Sequence, residues 1–147
     1  MYKSSGFSLL LGEDERYDAL IIEKILKQMD YNGHYQHLPL GQDVIDWTLK
    51  RGQYKGADHP QPSLIIVDIG LPGITGIEVL ETLRNEEASR HIPIIMCSGS
   101  SSQRDFHRCI AHGCNAYVQK NAELDKFFRT IQLFIEGWFH LSKQDFF

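Results

Sequence analysis

Leu64-Ile-Ile-Val67 is an unbroken apolar run, mostly β-branched, closed by Asp68 and followed at once by Ile69-Gly-Leu-Pro72-Gly73. Such a run reads as a strand covered on both faces, because a strand with one wet face alternates polar and apolar residues. Pro72 and Gly73 stop its continuation. Strands covered on both faces belong to parallel sheets flanked by helices, and those sheets carry their chemistry at the C-terminal strand ends. Asp68 is therefore expected at the rim of a sheet, on rigid support, facing an open site.

The rest of the chain repeats the strand–helix order. Residues 7–11 read as a strand, and 16–29 as a helix with Leu20, Ile21, Ile22, Ile25, Leu26 and Met29 as its apolar stripe. Residues 35–38 are a weak strand and 41–51 a helix. Residues 53–62 hold Gly56, Pro60 and Pro62 and read as a loop. After the Leu64–Val67 strand come a helix over 75–85, a strand over 92–97, a helix over 101–112 ended by Gly113, a strand over 116–119 and a final helix over 122–140. Five strand–helix units with right-handed crossovers predict an α/β fold, a doubly wound parallel sheet with helices on both faces.

The chain of 147 residues suits one domain with a full core. No internal repeat or linker divides it, so residues 1–147 are expected to form a single domain with its core over about 7–140 and no effector domain. The net charge of −4 gives no basic field for nucleic acid or an anionic membrane. No apolar stretch approaches the roughly 20 residues that span a bilayer, and residues 1–6 lack the architecture of a signal peptide. Three cysteines, Cys97, Cys109 and Cys114, fit a reducing cytoplasm. The His107-x-Cys109-x-x-His112-x-Cys114 segment matches no common zinc spacing.

The predicted strand ends share a chemistry. Glu13-Asp14 follows the first, Asp68 ends the third, Ser98-Gly99 follows the fourth and Lys120 follows the fifth. Three carboxylates packed together stay ionised only with a cation between them. Hard oxygen ligands without His or Cys suit Mg²⁺, which binds through few carboxylates, water and substrate phosphate. A carboxylate can also attack phosphorus and form an aspartyl-phosphate. Lys120 then offers a point charge, Ser98 a hydroxyl and Gly99 an unobstructed backbone N–H for the phosphoryl oxygens.

With these motifs the chain resembles the receiver domains of two-component response regulators. The resemblance runs from about Phe7 to Trp138. It rests on Glu13-Asp14, on Asp68-Ile-Gly-Leu-Pro72 with Gly76, on Ile92-Pro-Ile-Ile-Met-Cys-Ser98-Gly99 and on Gly113-Cys-Asn-Ala-Tyr117-Val-Gln-Lys120. It implies a flavodoxin-like five-stranded sheet in the order 2-1-3-4-5. It implies Asp68 as phosphoacceptor, and Glu13, Asp14, Asp68 and the Gly70 carbonyl as the Mg²⁺ site, with Asp14 a direct ligand. Ser98 and Lys120 would meet the phosphoryl group, and Tyr117 would be the aromatic that rotates on activation. A sensor histidine kinase would be the donor, and the face built from the fourth helix, fifth strand and fifth helix would change partner or dimer state. The proline that usually follows the lysine is Asn121 here, where a cis bond would cost about 3 kcal/mol.

Lys120-Asn-Ala122-x-Leu124, Trp138-Phe139 and the Gly52-to-Pro62 loop are similar to the regulators paired with bacterial phytochromes, which implies a phytochrome-type kinase and a homodimer. Independently, Leu124, Phe127, Phe128, Ile131, Phe134, Ile135 and Trp138 form a stripe broader than one core face requires. Phe127, Phe128, Phe134 and Trp138 are accordingly expected at an interface. Two other readings compete. A degenerate receiver would be a constitutive binding module, against which the acid pair, Ser98 and Lys120 argue. An aspartyl-phosphate phosphatase of the haloacid dehalogenase type would need a second acid where Gly70 stands, so the chain is expected to accept a phosphoryl group rather than turn over a substrate.

Overall fold

The computed structural model describes residues 6–120 and 123–142. The bond between Lys120 and Asn121 lies outside the described residues, as does Ala122, the expected start of the last helix. Five strands, β1 (Ser8–Gly12), β2 (His34–Leu38), β3 (Leu64–Asp68), β4 (Ile94–Ser98) and β5 (Ala116–Gln119), form one sheet in the order β2-β1-β3-β4-β5. Every neighbouring pair is parallel. The connecting helices are α1 (Arg16–Gln28), α2 (Gly41–Leu49), α3 (Gly76–Asn85), α4 (Gln103–Ala111) and α5 (Leu124–Ser142). The expected flavodoxin-like order is the one observed.

Alternation along the strands sorts the core into two layers. Leu9, Leu11, Leu64, Ile66, Ile95, Cys97 and Val118 face α1 and α5. Leu10, Ile65, Val67, Ile94 and Met96 face the α2, α3 and α4 side. All of β1, β3 and β4 is buried, which explains their unbroken apolar runs. Edge strand β2 is mostly half-exposed, so His34-Tyr-Gln-His-Leu38 carries little hydrophobic signal. No helix among the described residues is long and apolar enough to cross a membrane.

Boundaries shift where backbone chemistry overrides the apolar pattern. Strand β4 begins at Ile94 rather than Ile92, although the Pro93 carbonyl still accepts from Ile65 N–H at 2.9 Å. Proline has no N–H to give the ladder. Helix α2 ends at Leu49 because Lys50 turns left-handed at φ 56°. Helix α4 ends in a Schellman motif. Gly113 takes φ +85°, its N–H reaches the Ile110 carbonyl at 3.1 Å, and Cys114 N–H reaches the Cys109 carbonyl at 3.1 Å.

The final helix requires one correction. Phe127 is only 4% exposed and belongs to the core with Ile131, Ile135 and Phe139, packed beneath α1 and the sheet. It is not offered to a partner. Phe128, Phe134 and Trp138 are half-buried at the edge of that layer, while Leu133 stands 69% exposed. The helix uses its apolar stripe first to close the domain's own core, and the remaining apolar surface is displaced around the helix toward Leu133.

Candidate phosphoacceptor site

The alternation that sorts the core also aims the site. Asp68 shares the parity of Leu64 and Ile66, so its carboxylate projects from the strand end toward the α1 and α5 side. Glu13 follows β1 directly, its N–H continuing the ladder to the Leu38 carbonyl at 3.1 Å. Lys120 continues β5 in the same way, with its N–H on the Ser98 carbonyl at 2.7 Å. Three neighbouring chain segments thus deliver their charges to one rim. Close approach of α3 to β3 completes the support: a Cβ on Gly76 would stand 2.2 Å from the Asp68 carbonyl oxygen. Only glycine fits there.

Glu13, Asp14 and Asp68 each place a carboxylate oxygen within 4.8 Å of the others. Glu13 is buried, Asp14 is exposed, and Asp68 lies between them in accessibility. Burial pushes the Glu13 carboxyl up from its usual range, opposed by its hydrogen bond to Lys120. Gly70 N–H donates to Asp68 Oδ2 at 2.8 Å, which fixes the carboxylate plane. The other oxygen, Oδ1, receives Lys120 Nζ at 2.8 Å. The same ammonium bonds Glu13 Oε1 and, at 2.9 Å, Asp18 Oδ2. Burial works to lower the Lys120 pKa, but hydrogen bonds to Asp68, Glu13 and Asp18 outweigh it and the net shift is upward. Three carboxylates meet one ammonium, and Asp14 stands beside two of them. The hard oxygen donors of Glu13, Asp14 and Asp68 fit a divalent cation.

Ser98 and Tyr117 occupy the other side of β4 and β5. The Ser98 hydroxyl is engaged locally: it accepts from Ser100 N–H at 3.0 Å and donates to the Ser100 carbonyl at 3.3 Å. Space above Gly99 is open, with nothing within 4 Å of where a Cβ would sit. Tyr117 packs edge-on against Phe106, ring centroids 5.2 Å apart. Its hydroxyl is buried and makes no hydrogen bond of good geometry among the described residues. Burial raises the phenol pKa, with nearby Ser98 working against the rise.

A family model, the response regulator receiver domain, matches residues 9–132. The chain belongs to this family. This receiver chain is 26% identical over 132 residues to the probable methanogenesis regulatory protein FilR2 of Methanothrix harundinacea (strain 6Ac), covering 90% of this chain and 83% of that one. Among solved structures it is similar to the Mn(2+)-bound form of response regulator Rcp1, with 25% identity, 90% and 94% of the two chains covered and a TM-score of 0.83. It is also similar to the bacteriophytochrome response regulator AtBRR, at 28% identity, 89% and 92% coverage and a TM-score of 0.71. Receivers are phosphoacceptor signalling domains rather than enzymes with a turned-over substrate.

Glu13, Asp14, Asp68 and Lys120 are brought together at one rim, with Gly70 beside them. Ser98 and Gly99 flank that rim, while Tyr117 stands on the α4 side. Sequence reasoning missed Asp18. A signal for it exists: Asp18 precedes Ile21, Ile22 and Ile25 at helical spacing, so a carboxylate heads the buried stripe of α1.

Proposed function

We propose that this receiver takes a phosphoryl group onto Asp68 with Mg²⁺ and passes the change to its α4–β5–α5 face. The observation that carries this reading is the Asp68 carboxylate itself. It is held between Gly70 N–H at 2.8 Å and Lys120 Nζ at 2.8 Å, beside two further acids within 4.8 Å. In the transfer, one Asp68 oxygen attacks phosphorus. The bond from phosphorus to the donor breaks, and its electron pair leaves with the donor, as a neutral imidazole from a ring-protonated phosphohistidine or as acetate from acetyl phosphate. Glu13, Asp14, Asp68 and the Gly70 carbonyl would hold the metal, which supplies counter-charge to the phosphoryl oxygens. Lys120 moves from Asp68 Oδ1 to a phosphoryl oxygen. Ser98 exchanges its Ser100 bonds for another phosphoryl oxygen, and Tyr117 responds on the far side of β4.

The Mn(2+)-bound form of Rcp1 supports a divalent metal here, and the likeness to AtBRR supports a sensor histidine kinase of phytochrome type as donor; the exchange would take place in the cytoplasm. Exposed Leu124, Leu133 and Leu141, with half-buried Phe128, Phe134 and Trp138, support homodimerisation through α5. With Mg²⁺, acetyl phosphate is expected to modify the chain and beryllium fluoride to bind it. Asp68→Asn is expected to abolish both. Modification persisting in that variant would sink the assignment. Sedimentation at tens of micromolar, with and without beryllium fluoride, tests the dimer; a monomer in both states excludes it.

A further inference from the structure

The Lys120 ammonium has three N–H donors, and all three are committed: to Asp68, to Glu13 and to Asp18. Two of those acceptors have duties in the receiver reading. Asp68 becomes the phosphorylated group, and Glu13 belongs to the acid set that would hold the metal. Asp18 has no such duty. Its carboxylate makes no other hydrogen bond or ion pair among the described residues, and it lies on α1, 102 residues from Lys120 in sequence. Its side chain is 25% exposed and that of Lys120 15%, so the pair is largely withdrawn from solvent.

The local chain explains why Asp18 is available. In a capping box the side chain at the third position of a helix folds back to the N-cap N–H. Here that donor, Glu15 N–H, is taken by Glu13 Oε2 at 3.2 Å. The Asp18 carboxylate is left at the positive end of α1, where the helix dipole favours its charge. It is directed across the rim to Lys120 rather than into its own cap.

We propose that Asp18 is a positioning residue for Lys120. It anchors the ammonium over Asp68 while the Asp68 and Glu13 contacts are exchanged for the phosphoryl group and the metal. The inference rests on the receiver reading, since it concerns the lysine of that same site. A lysine is a flexible four-carbon stem carrying a point charge, so its catalytic value depends on where it is held. Charge alone predicts the opposite effect of Asp18, because removing an anion beside a phosphoryl group would favour the incoming phosphate. The two ideas therefore differ in sign.

The test uses the full chain, Mg²⁺ and acetyl phosphate. Asp18→Ala is expected to slow modification of Asp68 by about 10-fold, the order expected when a catalytic group loses its alignment. Its Mg²⁺ dissociation constant should stay within about two-fold of wild type, since Asp18 is outside the metal cluster. Asp18→Asn, whose amide oxygen still accepts the Lys120 hydrogen, should keep a rate within about three-fold of wild type. A merely structural Asp18 would not give that rescue. If Asp18→Ala does not fold, Asp18→Glu carries the test: it keeps the charge, displaces the ammonium and should be slowed. Wild-type rates in Asp18→Ala or Asp18→Glu, or an Asp18→Asn as slow as Asp18→Ala, overturn the proposal. If wild type itself is not modified, the receiver reading fails; if wild type reacts and the Asp18 variants match it, only the role of Asp18 fails.

Discussion

Two polar groups three residues apart, on opposite sides of β5, are treated in opposite ways. Lys120, on the α1 and α5 side, has each of its donors on a carboxylate. Tyr117, on the α4 side, has a buried hydroxyl with no well-formed hydrogen bond among the described residues. The difference separates two tasks. Charge that meets an incoming phosphoryl group works best when already in place, because reorganising it at the moment of reaction costs rate. A switching group works best when the state it leaves is not over-stabilised, because a population shifts only by the free-energy difference between its states. Ser98 sits between them, bonded to the local backbone at Ser100 and so exchangeable at modest cost.

The comparison breaks most visibly at Lys120. Lys120→Met should lower the rate of phosphorylation by acetyl phosphate about 100-fold, the scale of losing one preorganised donor. The same substitution should tighten Mg²⁺ binding, since the acids lose their competing cation. Stopped-flow and Mg²⁺ titrations check the pair of signs, and weakened metal binding would show that Lys120 supports the acid cluster rather than competing for it.

At the other pole, Tyr117→Phe removes a buried oxygen that makes no well-formed hydrogen bond among the described residues. It should raise the stability of the unphosphorylated protein by about 1 kcal/mol, read from urea midpoints. A lower midpoint would mean that the hydroxyl is satisfied in solution and that the two groups are less different than they look.

The smallest effect is a pH dependence. The Lys120 pKa is raised in the folded state, so its contribution to stability is complete below the unfolded value of 10.5 and is lost as pH rises through the higher folded value. Urea midpoints followed above pH 10 should fall more steeply in wild type than in Lys120→Met. Parallel curves would place the ammonium in a wetter, weaker setting than its three acids provide.

Legibility followed hydrophobic burial. β1, β3 and β4 could be read because both of their faces are covered and their sequences are almost purely apolar. β2 was faint because an edge strand with polar residues has no such pattern. Asp68, Glu13-Asp14, Ser98 and Lys120 were legible as polar residues placed immediately after apolar runs. Asp18 was not, because it lies inside a helix, where one more acid near the N-terminus is unremarkable until the lysine that meets it is known. Phe127 was misassigned for a related reason: a stripe shows that a helix buries one side, but not how wide a groove receives it.

By itself the sequence determined the strand–helix alternation, the strand ends and the residue types gathered there, because these depend on local pattern and on the periods of strand and helix. Tertiary structure alone decided that Lys120 crosses to Asp18, that Phe127 and Phe139 close the core while Leu133 remains outside, and that the Tyr117 hydroxyl is buried without a well-formed hydrogen bond among the described residues. Each of those depends on the distance and facing of groups far apart in the chain, which packing sets and local sequence does not encode.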